Sequence, residues 1–176
     1  PMMGIDLILK AVPFIVKAVP EAKFEFIGSG PSDQTLRGIA KKLKLDKHIT
    51  FHGWVYDRKK LGEILSDGAV GLAPFNTIIL DDQVRNADPA KLKDYMLWGM
   101  PVIVTDAISN AKEIEEARCG IVIRYNLGEL RVAILQLLQD EKLLREYRKN
   151  AVNFVKKYDY EDIFKKNLTR VLGESS

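Results

Sequence analysis

Five short apolar runs, each stopped by glycine, proline or a polar cluster, alternate along the chain with stretches of helical period, and this alternation constrains the fold more than any other feature. The runs occupy residues 23–27, 49–55, 69–73, 101–105 and 120–124. Residues 5–19 carry apolar side chains at near-helical spacing (Ile5, Ile8, Leu9, Val12, Ile15, Val16, Val19), with Pro13 expected to kink that helix. Ser32 or Asp33 is set to cap a helix through Leu43, and Asp57 one through Leu65. Helices are also expected from Pro89 to Trp98, Asn110 to Ala117, Leu127 to Gln139, Glu141 to Tyr158 and Tyr160 to Leu172. Strands that alternate with helices fold as an α/β domain: a doubly wound, mostly parallel sheet with helices on both faces and C-terminal helices at the end. At 176 residues the chain has the length of one domain, read as residues 1–172 with a tail from 173 to 176.

Composition removes several function classes. With 47% hydrophobic and 29% charged residues the chain is neither disordered nor collagen-like. Its 27 basic residues against 24 acidic give a net charge of +3, too small to call for a nucleic-acid or membrane partner. The single cysteine, Cys119, permits no internal disulfide and is expected to be a small buried apolar group. Residues 1–6 lack a leader pattern, and no apolar run approaches the roughly 18 residues of a membrane span, so a soluble domain is expected. A chain that opens on Pro1 inside a helix-start pattern reads as one cut from a longer protein.

In an open parallel sheet, ligands bind outside the carboxyl ends of the strands, which selects the loops 28–31, 53–57, 74–91 and 105–110. Gly28-Ser29-Gly30 would let backbone approach a phosphate closely, yet Asp33 stands where a dinucleotide fingerprint has its third glycine, and no Gly-Lys-Ser/Thr follows. The helix start at Pro89 is the stronger candidate. Lys91 in its first turn opposes the helix dipole, which suggests an anion between the two; the plain alternative is an exposed Lys91–Asp94 pair. The polar stretch 75–88, with Asp81, Asp82, Arg85, Asn86 and Asp88, is long enough to be read as functional. His48 and His52 lack a third ligand nearby and are read as packing or edge residues, not a metal site. Lys41, Lys42, Lys44 and Lys47, with Arg58, Lys59 and Lys60, lack interleaved aromatics and read as solvated faces, not a nucleic-acid surface. Serine-hydrolase elbows and zinc-protease motifs do not occur.

Four blocks together resemble the group 1 (family 4 type) glycosyltransferases of the GT-B fold. They are Phe26-Ile27-Gly28-Ser29-Gly30-Pro31; Ile49-Thr50-Phe51-His52-Gly53-Trp54-Val55; Val70-Gly71-Leu72-Ala73-Pro74-Phe75; and the segment from Pro89-Ala90-Lys91 through Asp94-Tyr95-Met96 to Gly99-Met100-Pro101-Val102-Ile103. The resemblance implies the C-terminal, Rossmann-like, donor-binding half of a retaining, metal-independent enzyme using a UDP-, GDP- or ADP-sugar, with no other cofactor. It further implies an acceptor-binding N-terminal domain as partner, and a cytoplasmic setting with peripheral membrane association of the parent left open. By the same resemblance Asp94 accepts from ribose, and Pro89, Ala90 and Lys91 hold the diphosphate. Gly28 and Gly30 face the phosphates, Val55 and Tyr56 hold the base, and Asn86 meets the donor sugar. Asn86 stands where the family's Glu-x7-Glu pattern has its first acid, and Met3 where a basic residue is usual. A nucleotide-binding regulatory module and a nucleotide-sugar epimerase share these features.

Overall fold

The computed structural model describes residues 4–76 and 90–158. The expected helix 160–172, the tail, Met3 and all of the loop from 77 to Pro89, Asn86 included, lie outside the described residues. The elements are α1 (Ile5–Ala18), β1 (Phe24–Ile27), α2 (Asp33–Lys42), β2 (Ile49–Gly53), α3 (Arg58–Ser66), β3 (Gly71–Ala73), α4 (Ala90–Leu97), β4 (Val102–Thr105), α5 (Ala111–Glu116), β5 (Gly120–Ile123), α6 (Leu127–Gln139) and α7 (Glu141–Lys156). All five of these strands pair in parallel, as alternating strands and helices require.

Side chains that set the boundaries are visible. The Asp57 carboxylate accepts from the Lys59 and Lys60 amides at the start of α3. Asn126 accepts from Glu129 N at 3.1 Å, and Asp140 from Leu143 N at 3.0 Å, so each cap starts a new helix where the apolar period alone would run on. β2 ends at Gly53 and not at Val55, because Gly53 takes a left-handed φ of 67° and its carbonyl accepts from Gly28 N at 2.7 Å.

The sheet is in two pieces, β1-β2 and β3-β4-β5, where a single five-stranded sheet was expected. Its two faces bury different residues, as the strand period of two dictates. On one face Phe24, Ile49, Ile103 and Ile123 pack with α1, α2 and α6. On the other Ala73, Val102 and Val104 pack with α4, α5 and α7, and Cys119 is buried among them as expected. Four consecutive buried residues in β4 show a strand covered on both sides. α1 belongs to both sheet pieces: Leu9, Ala11, Val12 and Ile15 are fully buried in the cluster that holds Phe24 and Ile49 from one piece and Ile103 and Ile123 from the other. Each such leucine or isoleucine contributes roughly 1.5–3 kcal/mol relative to exposure.

Gly120 is held to its size by that packing: an added Cβ would lie 2.5 Å from the Val102 carbonyl oxygen and 2.6 Å from Ile114 Cγ2. Gly120→Ala is expected to lose ~1–3 kcal/mol in urea unfolding through overpacking. Gly30→Ala, where a Cβ meets nothing within 4 Å, should stay near the parent value. Equal losses in the two variants would show that backbone freedom, not β4–β5 packing, sets the requirement.

Candidate functional site

The carboxyl ends of the strands bring three of the expected loops into view. Gly28 follows β1 with φ 111° and bridges to Gly53 at the end of β2, tying the first two loops together. Space around Gly28, Gly30 and Gly53 is open, with nothing within 4 Å of an added Cβ. Their amides are partly committed: Gly28 N–H donates to Gly53 O, and Gly30 N–H donates to Asp33 Oδ1 at 3.0 Å. Asp33 Oδ2 also accepts from Ser29 Oγ at 2.7 Å. The carboxylate therefore closes the glycine turn on itself, and Ser32, at the cap position of α2, makes no side-chain cap bond. What the glycines offer a ligand is clearance more than donors. The signal in the sequence was an acid three residues after the second glycine, a spacing that favours a side-chain-closed turn.

Beyond Gly53 the chain presents Trp54 and Tyr56 to solvent, Tyr56 at 87% exposure, with Val55 half-buried between them. Exposed aromatic faces on a carboxyl-edge loop can stack on a planar ligand. Across the edge, Phe75 is buried just after β3, and Lys91 in the first turn of α4 sets its ammonium over the Phe75 ring, 4.4 Å from the centroid. Burial lowers the Lys91 pKa to about 8. An ammonium this poorly hydrated gains more from an added anion than one in open water would. Ala90 opens α4 and is exposed, as is Asp94 one turn on. Burial first and the Asp94 charge second hold the Tyr95 phenol above its usual range. Leu92 and Met96 point into the core as helical spacing required.

Sequence reasoning missed two further tethers. Thr105, fully buried at the end of β4, donates through Oγ1 to Phe75 O at 2.9 Å and so fixes the floor under Lys91. Asp6 in the first turn of α1 accepts from the Tyr125 hydroxyl beyond β5 at 3.1 Å; burial, then the Asp6 charge and hydrogen bond, push the Tyr125 pKa up to about 12. A hydroxyl ending an otherwise apolar strand was the available clue to Thr105; nothing local linked Asp6 to Tyr125, 119 residues away. The two histidines take separate partners. His48 Nδ1 lies 3.1 Å from Ala22 O, and His52 Nε2 pairs with Glu25 at 2.5 Å.

The carboxyl edge of this doubly wound sheet thus carries a desolvated cation in the first turn of α4 and open glycine turns after β1 and β2. The profile described as glycosyl transferases group 1 matches residues 1–140, and the chain belongs to that family. It is 26% identical over 155 residues to the poly(glycerol-phosphate) alpha-glucosyltransferase of Bacillus subtilis (strain 168), a match that takes in 85% of this chain and 21% of that protein. Among solved structures, it resembles the pneumococcal O-GlcNAc transferase GtfA in complex with UDP and GlcNAc (TM-score 0.78, 25% identity, 97% of this chain and 34% of that one). The C-terminal domain of a group 1 glycosyl transferase (LpcC) from Francisella tularensis shares the fold at TM-score 0.74 and 18% identity, over 90% of this chain and 80% of that one. The chain thus spans about a fifth of the curated relative and a third of the pneumococcal enzyme.

Thr105→Val keeps the shape and removes the donor, leaving the Phe75 carbonyl without it in a buried place. A loss of ~1–3 kcal/mol is expected in denaturant unfolding. The Lys91 pKa should rise at the same time if its floor loosens and water enters, which 15N or 13C NMR titration of the lysine side chain would read.

Proposed function

We propose that this chain is the donor-binding domain of a retaining glycosyltransferase that takes a nucleotide sugar, and that the nucleotide is UDP. The observation that carries the reading is Lys91: a desolvated ammonium at the start of α4, on the same sheet edge as the open turns at Gly28–Gly30 and Gly53. Membership of the group 1 family supports transfer chemistry, and the pneumococcal relative, whose structure is in complex with UDP and GlcNAc, supports the choice of nucleotide.

In this reading a departing diphosphate develops negative charge where α4 begins. The helix dipole, the Ala90 and Lys91 amides and the Lys91 ammonium stabilise that charge without a metal ion, and stabilise it most where water is excluded. Asp94, one turn further and exposed, accepts from the ribose hydroxyls. Tyr56 and Val55 take the base. Pro89 and Asn86 belong to the diphosphate and sugar ends of the same proposal. The acceptor is held by a second domain, and the cleft between the two domains is the reaction site. A cytoplasmic setting of the parent, with peripheral membrane association, completes the proposal; none of the helices among the described residues is long and apolar enough to cross a membrane.

Calorimetry with UDP tests it. Because the ammonium is the binding form and Lys91 loses its proton near pH 8, UDP affinity should be level below that pH and fall by up to about tenfold per unit above it. Lys91→Met should abolish this pH dependence and weaken UDP roughly tenfold to hundredfold at pH 7, the scale of a charge-assisted hydrogen bond. Asp94→Ala should weaken UDP by about 1.5–3 kcal/mol with the pH profile intact. UDP binding that is indifferent to both substitutions would refute the assignment, and tighter binding of GDP, ADP or CMP would correct the base.

A further inference from the structure

We propose that the amino edge of the sheet, opposite the glycine turns and Lys91, docks on a bilayer rich in anionic lipid, with the lysines around the α2–β2 turn meeting the headgroups and Leu43, Leu97 and Trp98 entering between them. This surface rests on the peripheral association put forward above and gives it a place on the molecule. Two separate observations meet on that edge.

The first is charge without a partner. Strands within each sheet piece are parallel, and α1 sets the two pieces in the same sense, since Gly4 at its start meets Pro74 just after β3 while its end leads into β1. The strand starts therefore share one edge. Beneath β1 and β2 that edge carries Lys23 in the α1–β1 turn and Lys41, Lys42, Lys44 and Lys47 at the end of α2 and beyond it, all exposed. Lys23 Nζ donates to Lys47 O at 2.7 Å, which brings the two turns together. None of the five meets a carboxylate among the described residues, whereas Lys10, Lys112 and Lys157 sit opposite Asp6, Glu116 and Glu113. Only the acids Glu21 and Asp46 share these turns, so the local excess is three charges, as large as the net charge of the whole chain. The dipole of α2 accounts for Lys41 and Lys42 in its last turn, but not for Lys23, Lys44 and Lys47 outside the helix.

The second is apolar surface left in water on the same edge. Leu43 is exposed between Lys42 and Lys44, while Leu45 is buried and secures the turn. Lys44 has a left-handed φ of 55°, which glycine would take without strain, so a long cation is kept there against a backbone penalty. In the α4–β4 turn Leu97 is 65% exposed and Trp98 43%. The Trp98 indole rests on α3, where a Cβ added to Gly62 would lie 2.8 Å from its Cη2, so the ring is held in place with its remaining surface in solvent.

An anionic bilayer uses both kinds of group. Ammonium groups are drawn to lipid phosphates, while leucine and indole side chains settle at the boundary between headgroups and acyl chains. A nucleic acid or other soluble polyanion would use the lysines alone, because Leu43 and Leu97 give it no planar face to stack on. With the amino edge on the bilayer, the turns at Gly28, Gly53 and Lys91 open toward solution, from which a nucleotide sugar arrives.

The two tryptophans of the chain test this orientation, because both are exposed and they lie on opposite edges, Trp98 before β4 and Trp54 after β2. Vesicles of phosphatidylcholine mixed with phosphatidylglycerol are added to single-tryptophan variants of the 176-residue chain. In Trp54→Phe, the Trp98 emission should shift to the blue and lose access to acrylamide; in Trp98→Phe, Trp54 should do neither. Co-sedimentation with the same vesicles should weaken about fivefold for each lysine removed, hence about 25-fold in Lys42→Gln/Lys44→Gln. Arg58→Gln/Lys59→Gln, which removes two cations from the carboxyl edge, should bind as the parent does. The surface is overturned if the vesicles do not bind, if Trp54 responds in place of Trp98 or neither responds, if the Lys42/Lys44 variant binds like the parent, or if RNA or polyphosphate binds and the vesicles do not. A response from Trp54 would keep the peripheral association and move it to the other edge, so this surface can fail alone. UDP calorimetry reads the donor assignment separately.

Discussion

Everything on the carboxyl edge depends on the burial of α1 against two sheet pieces that share no strand hydrogen bonds. Leu7, Ile8, Leu9, Ala11, Val12 and Ile15 are in contact with a cluster that includes Phe24 and Ile49 from one piece and Ile103 and Ile123 from the other, so apolar burial joins what backbone pairing leaves separate. Hydrophobic contact is non-directional and does not require that the two pieces be hydrogen-bonded. The glycine turns follow the strands of one sheet piece, and the Lys91 helix start follows a strand of the other. Their relative placement is therefore a property of side-chain packing more than of sheet register.

The carboxyl edge carries groups whose ordinary preferences have been opposed. Lys91 stands at the helix end that disfavours cations and is held over an aromatic ring with little hydration, while Thr105 fastens Phe75 beneath it. A charge in that position is costly to desolvate, and in the proposed donor site a phosphate beside it would offset that cost. The glycine turn contributes differently. Asp33 occupies the Gly30 amide and the Ser29 hydroxyl, so the turn is kept rigid and narrow from below and leaves clear space above.

The element order, the parallel α/β class and the apolar faces were legible in the sequence because each depends on local period: two for β4, whose neighbours Val102 and Ile103 face opposite clusters, and near 3.6 for Leu92 and Met96 on α4. Caps such as Asp57 and Asn126 were legible for the same reason, since a cap acts over two or three residues. Ser32 shows the limit, because the carboxylate next to it took a different local bond and closed the glycine turn instead.

By itself, the sequence determined which segments become strands and helices, which faces turn inward, and which loops gather at the carboxyl edge, since these follow from propensity, spacing and right-handed connection. Only the tertiary structure decided that Lys91 loses its hydration over Phe75, that Thr105 holds Phe75, that Asp6 meets Tyr125, and that the sheet divides into β1-β2 and β3-β4-β5. Each of these joins residues far apart in the chain, and the free energy of such contacts comes from burial and dielectric, which no local pattern of residues encodes.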